Sequence, residues 1–171
     1  MIAIIREETR QDHEAIHEVN RLAFAGDGEA QLVDRLRADG LVVVSLVAVE
    51  QDHVVGHILL SELPVETERG LLPAVSLAPM AVRPAWQRRG IGSALVRAGL
   101  RACRERGKVA VMVLGHPAYY TRFGFSPALA KPLHSPYSCA GDAWMAMELV
   151  PGALTGVTGT VRYPEAFSRV D

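Results

Sequence analysis

Cysteine is scarce in this 171-residue chain, which carries Cys103 and Cys139 and no others. One bridge at most could form, and with no export signal both thiols are expected to be reduced, which excludes a disulfide-stapled secreted scaffold. Long hydrophobic runs are missing too, so no segment approaches the roughly 20 apolar residues a membrane helix needs. The opening Met1-Ile2-Ala3-Ile4-Ile5-Arg6 reaches a charge too soon for a signal peptide, and a cytoplasmic location is expected. Charge of one sign is also lacking. Eighteen Lys and Arg against 19 Asp and Glu leave a net charge of -1, with no global basic field to draw nucleic acid or a membrane surface. There is no repeat, low-complexity stretch or linker, so one domain over residues 1–171 is expected, with a core of about 2–149 and a closing strand or hairpin in 150–171. Hydrophobic residues are plentiful at 49%, enough for a sizeable core and too many for a disordered chain.

The apolar pattern switches between helical and strand periods. Residues 2–5 read as a short strand, and residues 12–24 place Ile16, Val19 and Ala23 on one helical face. Ala25-Gly26-Asp27-Gly28 interrupts that helix, residues 29–37 resume it with Leu32, Val33 and Leu36, and Gly40 is placed as its C-cap. Residues 41–49 and 54–63 flank a turn at Gln51-Asp52-His53 and predict a hairpin. Residues 64–73 are expected to be a loop, 74–82 a strand, 91–106 a helix and 109–114 a buried strand. This order predicts a mixed α+β domain with one β-helix-β unit over residues 74–114.

The most informative segment is Ala81-Val82-Arg83-Pro84-Ala85-Trp86-Gln87-Arg88-Arg89-Gly90-Ile91-Gly92-Ser93, where a buried strand runs into a turn that opens a helix. The first turn of a helix carries N–H groups without intrahelical partners and the positive end of the macrodipole. Gly90 and Gly92 let an anion approach that backbone, and Arg88 and Arg89 add cationic donors. A phosphorylated ligand is the chemistry indicated. The Gly-Lys-Ser/Thr of a Walker loop is missing, and two glycines do not meet the dinucleotide fingerprint. Taken alone, the glycines also fit a tight strand-to-helix turn with no ligand.

Gln87-Arg88-Arg89-Gly90-Ile91-Gly92 after a Val-x-Pro strand end resembles the acetyl-CoA signature of the GNAT N-acetyltransferase superfamily, and Tyr120-Thr121-Arg122-Phe123-Gly124-Phe125 resembles its later Tyr-x-x-x-Gly-Phe block. Within the superfamily, Gly115-His116-Pro117-Ala118-Tyr119-Tyr120 followed by Arg122-Phe123-Gly124-Phe125 looks like a bacterial subgroup of unassigned substrate. The resemblance, judged by element order, covers about residues 2–149. It implies a GNAT-like acyl-CoA N-acyltransferase fold: a central, mostly antiparallel sheet with a splayed β-α-β cofactor unit. It also implies acetyl-CoA as acyl donor, direct attack by an unidentified amine acceptor, and, as in many members, a homodimer. Carried over by position, Gln87, Arg88, Arg89, Gly90, Ile91, Gly92 and Ser93 would hold the pyrophosphate, while Met80, Ala81 and Val82 would bond the pantetheine arm. Pro79 cannot donate to a ladder, so a bulge there is expected to open the strand. Tyr120 falls where the family places its general acid, a phenol still protonated at neutral pH.

A general base is not assigned. The strand 74–82 contains no carboxylate, and Glu62, Glu66, Glu68 and His116 are candidates that equally fit solvated surface positions. A domain that binds acyl-CoA without acceptor chemistry is the alternative this leaves open. His13-Glu14-Ala15-Ile16-His17 matches the zinc-hydrolase pattern, but in an ordinary amphipathic helix with no obvious third ligand; no metal is expected. Arg97, Arg101 and Arg104 form a stripe on the helix 91–106, which fits a solvated face or an anionic ligand. Cys103 is read as a packing residue and Cys139 as a loop thiol.

Overall fold

The computed structural model describes residues 3–169. In chain order it contains β1 (Ile4–Glu7), α1 (His13–Phe24), α2 (Gly28–Ala38), β2 (Val42–Glu50), β3 (His53–Glu62), β4 (Val65–Thr67), β5 (Gly70–Leu72), β6 (Ala74–Val82) and α3 (Ile91–Glu105). There follow β7 (Ala110–Leu114), α4 (Pro117–Tyr120), α5 (Pro127–Ala130), β8 (Leu133–His134), β9 (Trp144–Glu148) and β10 (Gly159–Val161). The chain divides into two compact units. The first takes the chain up to Ser61, Ala78–Ala102 and the residues from Glu165; the second takes Glu62–Leu77 and Cys103–Pro164. Of the expected first strand, Ile2 lies outside the described residues.

In the first unit, β1 pairs antiparallel with β2 from Ile4↔Val49 to Glu7↔Leu46, and β2 pairs antiparallel with β3. The hairpin closes between Glu50 and His53, with Gln51 and Asp52 both left-handed (φ 51° and 64°). Two consecutive positive φ values give the loop the twist that suits a two-residue hairpin. Helix α2 ends as its sequence predicts: Gly40 turns left-handed (φ 70°), its N–H donates to Arg37 O, and the Leu41 N–H donates to Leu36 O. Those two bonds satisfy carbonyls the last turn would leave unpaired. Ile16 and Val19 of α1 and Leu32, Val33 and Leu36 of α2 are buried as the helical spacing predicts.

Helix α3 lies very close to β3 in this unit. A methyl carbon built on Gly99 would stand 2.8 Å from Leu60 Cδ1, and one on Gly56 would stand 3.0 Å from Leu95 Cδ1 and 3.2 Å from Ile91 Cγ2. Side chains at either position would push the helix outward, because cores are packed without slack.

On β3, between those contacts, His57 is fully buried in a polar chain. Asn20 Nδ2 donates to His57 Nδ1 at 3.2 Å, and His57 Nε2–H donates to Ser45 Oγ at 2.9 Å. The Ser45 hydroxyl donates to Glu8, which also accepts from Arg37 (3.0 and 3.1 Å) and pairs with His13 at 2.8 Å. This polarity satisfies both ring nitrogens of a neutral imidazole. Burial pushes the His57 pKa down to about 3. Burial raises Glu8, but hydrogen bonds from Arg37 and Ser45 outweigh it and hold its carboxyl below the usual value.

In the second unit, β6 pairs parallel with β7 at Ala74↔Ala110, Val75↔Val111 and Ser76↔Met112, and β7 pairs antiparallel with β9 from Ala110↔Glu148 to Leu114↔Trp144. The fold is the mixed, mostly antiparallel arrangement expected. Residues 64–73, expected to be a loop, instead form the short hairpin β4–β5. The reason lies far along the chain. Strand β10 from the tail pairs antiparallel with β4 and parallel with β8, giving a second sheet in the order β5-β4-β10-β8. Three-residue strands are too short to stand alone, and a ladder partner on each side makes this one viable. Gly159 makes the pairing close, since a methyl carbon there would lie 2.5 Å from Glu66 O. Val65, Leu133, Trp144 and Val161 form part of the core under this sheet, with Trp144 Nε1 donating to Leu133 O at 3.2 Å.

The buried histidine predicts acid sensitivity with a definite sign. Its folded pKa lies below its unfolded value near 6.5, so its contribution is complete above pH 6.5 and is lost as pH falls toward 3. Urea denaturation from pH 7.5 to 4.5 should show stability falling at up to about 1.4 kcal/mol per pH unit below pH 6.5. His57→Gln, which keeps one donor and one acceptor, should flatten that slope; a wild-type profile level down to pH 5 would refute the assignment.

Candidate active site

The strand-to-helix turn in the first unit is built by its own side chains. Arg83 anchors it twice to β3, through its N–H to Val55 O (2.8 Å) and its Nε to Val54 O (2.9 Å). Pro84, Ala85 and Trp86 form one 3-10 turn. Gln87 then reaches back, its Nε2 donating to Val82 O at 3.0 Å, so this side chain laces the loop to the strand end. Arg88 and Gly90 both turn left-handed (φ 65° and 82°). A left-handed arginine is strained, and such residues concentrate at ligand-binding turns. The first α3 hydrogen bond runs from the Ala94 N–H to Gly90 O, which makes Gly90 the N-cap and starts the helix at Ile91. The N–H groups of Ile91 and Gly92 therefore lie in the first turn, where no intrahelical acceptor exists.

Gln87, Arg88, Arg89 and Gly90 are exposed, Ile91 is buried, and Gly92 and Ser93 are half-buried. A methyl carbon built on Gly90 would meet nothing within 4 Å, so its open face points to free space. Beside it lies a pocket of about 120 Å³ lined by Glu50, Arg89, Gly90, Ile91 and Ala94 among others. An exposed helix start preceded by two arginines is suited to an oxyanion such as a phosphate. Of the strand residues expected to contribute, Met80 is half-buried while Ala81 and Val82 are buried. The Val82 carbonyl is occupied by Gln87. The peptide between Ala78 and Pro79 is cis, and the parallel register with β7 is carried by Ala74, Val75 and Ser76.

Tyr120 belongs to the second unit, at the end of α4. Its N–H donates to His116 O at 3.0 Å, and Pro117 sits in the first turn, where its missing N–H costs nothing. Its ring packs edge-on against Tyr119 (centroids 5.0 Å apart) and Phe125 (5.6 Å), with Phe123 at 6.5 Å. Burial, with a smaller contribution from Tyr119, pushes the Tyr120 phenol up to about 12.

The carboxylates considered as bases are engaged or exposed. Glu62 accepts two bonds from Lys108 Nζ (2.7 and 2.8 Å), Glu66 pairs with Arg162 at 3.4 Å, and Glu68 is exposed. His116 caps α4 through its carbonyl. The two histidines of the zinc-like motif turn to different carboxylates, His13 to Glu8 (2.8 Å) and His17 to Asp34 (3.3 Å). Among the described residues no group of three or more His, Cys, Asp or Glu side chains could hold a metal. Arg104 Nε donates to Leu149 O (2.9 Å), while Arg97 and Arg101 are exposed. Cys103 is buried, its thiol pushed up to about 12 by desolvation, and Cys139 is exposed. No described helix is long and apolar enough to cross a membrane.

Sequence reasoning missed the buried His57 chain and the aromatic box around Tyr120. The box had a signal, four aromatics within Tyr119-Tyr120-Thr121-Arg122-Phe123-Gly124-Phe125, whereas Asn20, Ser45 and His57 sit on three different elements.

Comparison with known proteins adds independent observations. The model of the Acetyltransferase (GNAT) family matches residues 5–125. The uncharacterized N-acetyltransferase YhbS of Escherichia coli K12 is 38% identical over 167 residues, covering 97% of this chain and 99% of the relative. YjhQ, also an uncharacterized N-acetyltransferase of that strain, is 35% identical over 159 residues, covering 90% and 87%. The crystal structure of Escherichia coli YhbS in complex with CoA superposes with a TM-score of 0.92 at 37% identity, covering 100% of this chain and 94% of that one. A GNAT family acetyltransferase from Brucella melitensis in complex with acetyl-CoA gives 0.78 at 31% identity, covering 96% and 97%. Family profile, near full-length relatives and overall fold thus agree that this chain belongs to the acetyltransferase (GNAT) family.

Proposed function

We propose that the protein transfers the acetyl group of acetyl-CoA to a primary amine by direct attack within a ternary complex. The observation that carries this reading is the exposed start of α3, where left-handed Arg88 and Gly90 present a helix N-terminus directly after two arginines. The YhbS and Brucella structures, solved with CoA and acetyl-CoA, support the same ligand for this chain. The pyrophosphate is held by the backbone of Arg88, Arg89, Gly90, Ile91, Gly92 and Ser93, with Gln87 keeping the turn in shape. The pantetheine arm bonds the main chain of Met80 and Ala81 and the N–H of Val82, whose carbonyl is already taken.

In the reaction the amine nitrogen attacks the thioester carbon, a C–N bond forms and the C–S bond breaks. The amide is released, and the proton lost by the amine ends on the CoA sulfur. Tyr120 donates a hydrogen bond to that departing sulfur. A phenol near 12 holds its proton more tightly than a thiol of ordinary pKa about 8.5, so Tyr120 stays protonated and stabilises the thiolate as a donor.

Two measurements test this. Calorimetry should detect acetyl-CoA binding to the wild type and at least about a tenfold loss, near 1.4 kcal/mol, in Gly92→Trp, whose indole blocks the helix start. Equal affinity in a folded variant would remove the turn from the site. Tyr120→Phe should bind acetyl-CoA within about twofold of wild type yet lower kcat by about 100-fold, the lower range for loss of one hydrogen-bond donor to a developing negative charge. The wild-type rate should also show no falling limb up to pH 10, since a phenol of pKa about 12 is still almost wholly protonated there. Unchanged turnover in Tyr120→Phe would take this side chain out of the reaction.

A further inference from the structure

We propose that Gly115 is a positioning residue for the Tyr120 hydroxyl, its bare Cα forming the one side of the ring's box that any larger residue would close. The inference rests on the reading of Tyr120 as the donor to the leaving sulfur. A methyl carbon built on Gly115 would stand 2.5 Å from Tyr120 Cε2, 2.9 Å from Cδ2 and 3.5 Å from Cζ. Carbon atoms pack at about 3.5–4.0 Å, so the ring would have to move by about 1 Å.

Neither partner has an easy retreat. The Gly115 N–H donates to Ala143 O at 3.0 Å, one residue beyond the strand β7 that pairs with β9. The Tyr120 ring is also packed edge-on against Tyr119 and Phe125, and Phe125 is itself 2% exposed. The Tyr120 backbone is tied to His116 through its N–H.

Backbone conformation does not account for the glycine. Gly115 is absent from the glycines with positive φ, a set that includes Gly107 and Gly124 on either side of it in sequence. Alanine at 115 would need no left-handed backbone, so its effect is traced to its methyl group. Gly115 thereby sets where the phenol oxygen points without touching a reactant. Displacing a reacting group by about 1 Å costs on the order of 100-fold in rate.

The test combines a structural readout with a kinetic cycle. In protein labelled with 13Cζ-tyrosine, the Tyr120 resonance, identified by its loss in Tyr120→Phe, should shift in Gly115→Ala. Its titration should also move from near 12 toward the ordinary value as the ring leaves its box. An unchanged resonance overturns the proposal. Turnover is read as CoA thiol release from acetyl-CoA, first without amine and then with n-butylamine. Gly115→Ala should lower kcat by about 10- to 100-fold with KM for acetyl-CoA within about twofold, and should change kcat by less than about twofold in the Tyr120→Phe background. Additive losses overturn the positioning role while leaving Tyr120 in the reaction. If Tyr120→Phe alone has no effect, the donor reading fails and the positioning role with it. Should Gly115→Ala fold poorly, Gly115→Ala/Tyr120→Leu, which removes the nearest clashing carbon, Cε2, should recover the melting temperature; no recovery overturns the proposal.

Discussion

The seating of α3 on β3 is the constraint from which the geometry of the proposed cofactor turn follows. A helix start can serve an anion only if its direction is fixed, and that direction is fixed by packing along the whole helix. Gly56 and Gly99 remove two side chains from the contact, so Ile91 and Leu95 lie directly on the strand. Ile91 is both the first helical residue and a buried one, so the point where the unpaired N–H groups begin is held by the core. Arg83 and Gln87 then fasten the incoming chain by hydrogen bonds to β3 and to the end of β6. The loop between can adopt two left-handed residues because both its ends are already held. A strained turn with free ends would relax.

Glycine does two different jobs in this protein, and its letter in the sequence does not say which. At Gly90 the backbone requires it, because φ is 82° while the space around the missing side chain is empty. At Gly115 and Gly159 the space requires it, because a methyl carbon would stand 2.5 Å from another atom with φ outside the left-handed range. The first kind is recognisable from a turn motif. The second depends on a neighbour that arrives from elsewhere in the fold: Tyr120, five residues on, or the Glu66 carbonyl, more than ninety residues away.

That difference explains how much could be read before the fold was known. Helices α1, α2 and α3, the β2–β3 hairpin and the buried strands β6 and β7 announce themselves, because each carries its signal within its own span. The turn from Gln87 to Ser93 is similarly local. The loop expected at 64–73 was wrong for the opposite reason. Val65-Glu66-Thr67 has no strong strand pattern, and its ladder partner β10 lies in the tail at Gly159–Val161. Strand formation there is a property of a pair that sequence reading meets as two weak halves. The chain Asn20–His57–Ser45–Glu8–Arg37 joins α1, β3, β2, the segment after β1, and α2, with nothing in the spacing to connect them.

Burial then sorts the titratable groups by the chemistry left to them. His57 has the residue type of a base, but enclosed between Asn20 and Ser45 it keeps a neutral ring down to about pH 3 and both nitrogens are committed. Cys103 has the residue type of a nucleophile, but its thiol, pushed to about 12, supplies almost no thiolate at neutral pH. In both cases desolvation disfavours the charged form that the reaction would need. For the donor role proposed for Tyr120, the same force has the opposite consequence. A hydrogen-bond donor to a leaving thiolate is useful in its neutral form, and desolvation preserves that form. An apolar environment that silences a base or a nucleophile therefore suits a donor, and this physical asymmetry separates the phenol of Tyr120 from His57 and Cys103.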